Sequence, residues 1–448
     1  MVVRPGRRLA VLIAALVLSP VVAVGAAAPA AAGARAGNPY AGAQWYVDSS
    51  WSAWAASEPG GAAVAAQPTG VWLDRVSHVR DTPGGPGLLR SRLNEATLQD
   101  AAVEPAPLTI QLVLNDLPDR NCTHLVSNGD FSVAADGLNR YRSEYVDPIA
   151  AMLAEPAYRR LRIVAVVEPD FLPGLLTPAT TDRCAAAQAS GAHLEAVRYA
   201  VARLAAIPNV YVYLDAAGYG ITGYADNFGR AAGLLADVAG VTAGRPAPVQ
   251  GFTVNVAGYG GLVEPYYNAR MVINGQPVKL SRWVDWNDYV DELSFAQDFR
   301  QRLVAIGFPA GIGMVIDTSR NGWGGPDRPS HAGPATTVDA FVDGSRVDRR
   351  YRTGNWCNQA GAGLGERPRA MPVPGVDAYA WIKPPGVSDG SSTDVTGPEG
   401  DRHDPMCDPA YSPVMGGYRP SGALPGAPPA GQWFGAQFRQ LLANAHPK

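Results

Sequence analysis

Ile110-Gln-Leu-Val-Leu114 runs directly into Asn115-Asp116-Leu-Pro-Asp119-Arg120. A short apolar run rich in β-branched and large aliphatic residues reads as a buried strand. The acidic stretch with its proline reads as the loop in which that strand ends. The same texture returns at 163–167, 210–214, 252–256, 313–316 and 379–382. Between several of these runs the period becomes helical. Tyr145, Ile149 and Leu153 share a stripe within 141–153, Val197, Val201 and Leu204 share another within 194–204, and 289–306 carries a longer one. Strand–helix alternation over roughly 300 residues predicts an α/β fold in which helices cover a mainly parallel sheet, a TIM-barrel-like β/α barrel. A closing helix is predicted at 432–445, behind the Pro/Gly-rich stretch 420–431.

The chain has 448 residues, 47% of them hydrophobic and 17% charged, with 50 Gly and 39 Pro. That length admits two domains or one large barrel. The absence of a binding-module linker or repeat favours one large domain over 33–448. A net charge of −3 with no basic cluster excludes phosphate-dominated binding of nucleic acid. Arg4, Arg7 and Arg8 precede an apolar stretch at 9–24 and the small-residue run Gly25-Ala-Ala-Ala-Pro-Ala-Ala-Ala-Ala32, so 1–32 reads as a secretory signal peptide. The apolar stretch is short for a membrane span of about 20 residues, and the Arg7-Arg8 pair hints at the twin-arginine route. No later stretch is apolar enough to span a bilayer. A secreted monomer is expected.

Export alters the reading of Cys122, Cys184, Cys357 and Cys407. An even number in an oxidising compartment predicts two disulfides, with three connectivities possible. No C-x-x-C or H-x-x-x-H spacing occurs, so no metal is predicted. The strand ends are acidic: Asp116 and Asp119, Glu168 and Asp170, Asp215, Asp317 and Asp389. A single Asp at such a place commonly caps a helix or binds loop amides. Carboxylates on successive strands of one barrel mouth suit acid–base work on a glycosidic bond. Gly386-Val-Ser-Asp-Gly390 fits the nucleophile-elbow pattern, but a loop and not a helix follows its Ser, which excludes that reading. Gly361-Ala-Gly-Leu-Gly365 follows no strand and is not a phosphate loop. Asn121-Cys-Thr123 is a glycosylation sequon by pattern only.

Several separated motifs carry a resemblance. They are Asp116-Leu-Pro-Asp-Arg with Cys122, Val167-Glu-Pro-Asp170, Val212-Tyr-Leu-Asp215, Asn355-Trp-Cys-Asn358, Trp381-Ile-Lys-Pro-Pro385 with Asp389-Gly390, and Ala430-Gly-Gln-Trp-Phe434. In this order and spacing the chain resembles glycoside hydrolase family 6, the secreted 1,4-β-glucanases that include cellobiohydrolases and endoglucanases. The resemblance covers about 38–448. It implies a distorted seven-stranded β/α barrel, hydrolysis of a β-1,4-glucan with inversion, and no cofactor. It assigns Asp170 as general acid and Asp389 as base or as stabiliser of the oxocarbenium-like charge. Ser127 helps hold the attacking water, Trp356 and Lys383 bind sugar, and Arg320 belongs to a loop that closes over the site in exo-acting members. Glu168 and Asp215 are read as scaffolding. The implied disulfides are Cys122–Cys184 and Cys357–Cys407.

The departures from the family pattern cluster. Asn115 stands where the family has a Tyr beside the distorted sugar, and Asn121 where it has an Asp that tunes the acid and joins the water chain. Asn cannot ionise or accept a proton. A glucan-binding His and Trp are replaced by Gly218 and Ile221, an Asn by Gly258 and a Glu by Val387. Frame and acid are kept while groups around the sugar change. An active β-glucan hydrolase is therefore expected, with attenuated activity or a different β-glucan as its substrate. The alternative is a secreted glycan-binding protein with little turnover.

Overall fold

The computed structural model describes residues 1–2, 37–126, 128–169, 171–241, 248–395, 403–412 and 420–448. Apart from Met1 and Val2, the predicted leader lies outside the described residues, as do Ser127 and Asp170. The chain divides into a short unit, Met1–Arg35, and one body, Ala36–Lys448.

Seven parallel strands organise the body: β1 Val71–Leu73, β2 Leu108–Leu114, β3 Arg162–Val167, β4 Val210–Asp215, β5 Gly251–Val254, β6 Gly313–Asp317 and β7 Val376–Ala380. Each pairs in parallel with the next in chain order. Gln44–Trp45 adds a parallel stub to β2, and Arg369–Ala370 an antiparallel one to β7. Both faces of the sheet are covered, which is why its strands read as near-continuous apolar runs. In β2, for example, Ile110, Leu112 and Leu114 pack on the helix side, while Val113 joins Val164, Val166, Tyr213 and Val315 on the concave side.

The parallel strands form a curled half-barrel. Among the described residues no ladder joins β1 to β7. The two edges meet only at the seam, where Gly70 N–H donates to Trp381 O at 3.0 Å and Trp72 Nε1–H to Ile382 O at 2.9 Å. A Cβ on Gly70 would lie 2.4 Å from Ile382 O, so this approach requires glycine.

The helices include α1 Ser49–Ser57, α2 Leu88–Ala102, α3 over 137–153, α4 Ala192–Ala205, α5 Ala225–Val238, α6 Glu292–Ala305 and α7 Gly435–Ala443. The predicted stripes are the buried faces: Tyr145, Ile149 and Leu153 in α3, and Val197, Val201 and Leu204 in α4. Helix α3 begins earlier than the periodicity suggests and carries a π-helical stretch, Tyr141–Val146. Two strand bounds also move. β5 stops at Val254 because Asn255 turns left-handed (φ 58°). β7 ends at Ala380, and the apolar Trp381 and Ile382 leave the ladder to make the seam.

Candidate active site

The carboxyl ends of the strands open into a cleft of about 710 Å³, bounded by Trp72, Asn115, His124, Tyr259, Trp356 and Lys383 among others. Ligands of parallel α/β folds bind at this end of the sheet. The chain turns away from the strands through uncommon conformations. Glu168 (φ 50°), Ala217 (φ 61°), Asn255 (φ 58°) and Ala257 (φ 55°) are all left-handed without being glycine. Such residues cost on the order of 1–3 kcal/mol each and gather where a site fixes its geometry.

Asp389 is the best-fixed carboxylate in the cleft. Arg320 Nη1 lies 2.8 Å from both of its oxygens and Lys383 Nζ 3.7 Å from Oδ1. Tyr259 O–H and Asn358 N–H each donate to Oδ2 at 2.9 Å. Burial pushes its pKa up, but Arg320 and Lys383 outweigh burial and hold it below the ordinary range. Arg320 is 0% exposed, with its guanidinium over the Tyr259 ring at 4.2 Å. It therefore supports Asp389 from beneath. Lys383 reaches the cleft itself, with Nζ 5.2 Å from the centre of the Trp72 ring.

The disulfides are Cys122–Cys184 and Cys357–Cys407. The second clasps the Asp389 loop. Cys407 Sγ packs against Gly390, where a Cβ would lie 2.7 Å away. Asn358, next to Cys357, donates its N–H to Asp389, accepts Asp389 N–H at 2.9 Å and donates Nδ2–H to Gly390 O at 2.9 Å. The two motifs read separately in the sequence are thus one structural unit.

Trp356 borders the cleft and lies against His124, ring centres 4.7 Å apart. Its indole N–H is buried with no partner among the described residues. Asn115 and Asn121 also border the cleft. Pro169 and Phe171, which flank Asp170 in the chain, both line it, as does Val126 next to Ser127. Glu168 lies behind the wall, where it accepts Asp116 N–H and Tyr141 O–H. Burial pushes the Asp116 carboxyl up to about 8, with Arg120 opposing and Asp130 and Glu168 adding. Asp215 accepts Ala217 N–H and Thr253 O–H, and Asp317 accepts Ala257, Lys383 and Ser319 N–H. Both tie loops to strand ends. No cluster of His, Cys, Asp and Glu among the described residues is arranged to hold a metal.

The sequence model of Glycosyl hydrolases family 6 matches residues 41–445. The chain belongs to this family. It is 44% identical over 426 residues to Exoglucanase A of Cellulomonas fimi, covering 92% of this chain but only 48% of that protein. The catalytic domain of Cellulomonas fimi Cel6B superposes with a TM-score of 0.85 at 44% identity, covering 92% of this chain and 95% of that domain. Cellobiohydrolase II (Cel6A) from Humicola insolens, solved in complex with glucose and cellotetraose, gives a TM-score of 0.69 at 31% identity, covering 92% and 99%.

Within this family 6 fold, two of the departures have a local physical reason. A Cβ on Gly258 would lie 2.2 Å from Asn255 Oδ1, and one on Gly218 2.8 Å from Glu292 Oε1. Neighbouring polar side chains occupy the space that larger residues would need. Sequence reasoning did not single out Trp72, Tyr259 or Glu292 as site residues. Val71-Trp72-Leu73 is apolar at every position, so the sequence does not mark its middle residue; in the structure Trp72 is half-buried between two buried neighbours. Tyr259 reaches the site on a loop and Glu292 from the first turn of α6, and periodicity marks neither.

Proposed function

We propose that the chain is a secreted, inverting hydrolase of β-1,4-glucan that works as a monomer and without a cofactor. The observation that carries this reading is the Arg320–Asp389–Lys383 cluster, set beside Trp72 and Trp356 in one cleft at the carboxyl end of the parallel strands. Aromatic faces stack on sugar rings, and buried charged groups fix their hydroxyls. Asp170 gives its proton to the leaving oxygen. Asp389, already held by two cations and two neutral donors at a lowered pKa, is a weak proton acceptor. Its role is a fixed charge that positions Lys383 and the reacting sugar. With Asn121 unable to take a proton, turnover on cellulose is slow. The names of the relatives support β-1,4-glucan as the substrate and an exo-acting mode.

The leader at 1–32 and the two disulfides support secretion. The hydrogen bonds at Gly70 and Trp72 support the finer reading of the sheet as a distorted seven-stranded barrel, split at that seam. No described helix is long and apolar enough to cross a membrane. The test is reducing-sugar release from soluble mixed-linkage glucan, carboxymethylcellulose and swollen cellulose, beside an Asp170→Ala control. Release that the control abolishes is expected. Oligosaccharide binding with no release by any form supports the binding-protein reading, which Asn121 and Gly218 favour.

A further inference from the structure

Glu292 opens helix α6 directly after Asp291, whose Oδ1 accepts Ser294 N–H and caps the helix. Its side chain turns from the helix toward the cleft that it helps to line. The residue is 3% exposed. Oε2 accepts Tyr219 N–H at 3.2 Å, while Oε1 has no hydrogen-bond partner among the described residues.

Two glycines of the cleft wall face that oxygen. A Cβ on Gly260 would lie 2.3 Å from Oε1, and one on Gly218 2.8 Å. The backbone of Gly218 is extended (φ −173°), so its own conformation does not require glycine. Only the approach to Glu292 does. The two missing side chains leave a window in the wall, with Oε1 behind it.

We infer that Glu292 is a sugar-recognition residue, its carboxyl group bonding through the Gly218–Gly260 window to a hydroxyl of a glucosyl unit in the cleft. This rests on the reading of the cleft as a glucan site. Burial pushes the Glu292 pKa up to about 8; Tyr219 N–H and Arg350 oppose, and Asp291 and Asp348 add. The group is therefore a neutral acid near pH 6. With Oε2 engaged as an acceptor, Oε1 carries the O–H. An acid in that state can donate to one sugar oxygen and accept from another hydroxyl.

The test is calorimetric binding of cellotetraose at pH 6 and pH 9 to a parent that carries Asp170→Ala and does not turn over. Glu292→Ala in that parent should weaken binding about 3- to 10-fold at pH 6, the range of one net hydrogen bond. Glu292→Gln, which keeps a donor and an acceptor, should stay within about twofold. Gly218→Ala, whose Cβ would lie 2.8 Å from Oε1 and so pushes the carboxyl back from the window it closes, should weaken binding like Glu292→Ala. It also supplies the answer if removing Glu292 disturbs folding. The parent should lose affinity as pH passes about 8, and Glu292→Gln should not. A parent that binds while Glu292→Ala and Gly218→Ala bind equally well overturns the assignment of Glu292 alone. A parent that binds no cellotetraose overturns the glucan-cleft reading and the inference with it.

Discussion

Replacing Asp389 by Asn keeps the shape of the side chain and an oxygen to accept Tyr259 O–H and Asn358 N–H, but removes the charge between Arg320 and Lys383. Arg320 Nη1 is 2.8 Å from the carboxylate and the residue is fully buried. Its Nε already lacks a hydrogen-bond partner among the described residues. Stripping one partner from such a pair costs about 3–5 kcal/mol, because the remaining charge stays out of water without compensation. An unfolding entropy of about 2.1 cal/mol/K per residue, taken over the body 36–448, gives about 0.9 kcal/mol/K, so Tm should fall by about 3–6 °C. The pKa of Asp389 is depressed in the fold. Its contribution is therefore complete above the unfolded carboxylate pKa and is lost only as pH falls through the folded one. The gap between variant and wild type should be flat from pH 5 to 8 and close in stronger acid. Pairing Asp389→Asn with Arg320→Met should recover much of the loss, since the stranded charge goes too. Scanning calorimetry across pH measures all three. A single variant within about 1 °C of wild type at pH 6 would refute the view that the buried pair is the strut of the site.

Asn121→Asp restores a group that can take a proton near the water path. It should raise turnover by as much as about 10²-fold, more with Asn115→Tyr, and move the acid limb of the pH profile upward. A wild type already fully active on some glucan, with neither change helping, would assign Asn121 to substrate choice instead. The double change Cys357→Ala/Cys407→Ala should cost about 4 kcal/mol by loss of the loop constraint, and should lower kcat further because Asn358 no longer holds the Asp389 loop. Turnover at 25 °C equal to wild type would contradict the clasp. Asp116, with its pKa pushed up to about 8, stays protonated in the fold where the unfolded chain has ionised. It removes stability as pH rises from about 4 to 8, by at most about 1.4 kcal/mol per pH unit. Asp116→Asn should therefore gain on wild type between pH 5 and 8 in urea unfolding, and an equal gain at both pH values would exclude this.

The strand–helix order was legible because both faces of the sheet are buried, so most strands left a mainly apolar run, and several helices left a single stripe. What the runs did not carry was closure. Val71–Leu73 is only three residues long, too short a run to stand out as a strand, and the seam depends on one glycine approaching one carbonyl. The carboxylates at strand ends were legible as a set, but their roles came from partners far away in sequence. Arg320 is a support for Asp389 because chain 69 positions away folds back on it. Glu292 was invisible for the same reason, since its reach into the cleft depends on two glycines on other loops. The departures at Gly218 and Gly258 read in the sequence as a changed substrate or lost turnover. In the structure each is space already taken by Glu292 or Asn255.

The most direct test of the account is the configuration of the first product. Soluble cellotetraose is incubated with the enzyme, and the anomeric protons are followed by NMR before mutarotation erases the signal. Inversion requires a water between the acid and the opposite face of the sugar, with carboxyl groups about 6.5–9.5 Å apart. The account predicts that the α-anomer appears first and that Asp170→Ala abolishes it. A β-anomer appearing first would contradict inversion, and a product that survives Asp170→Ala would contradict the site itself.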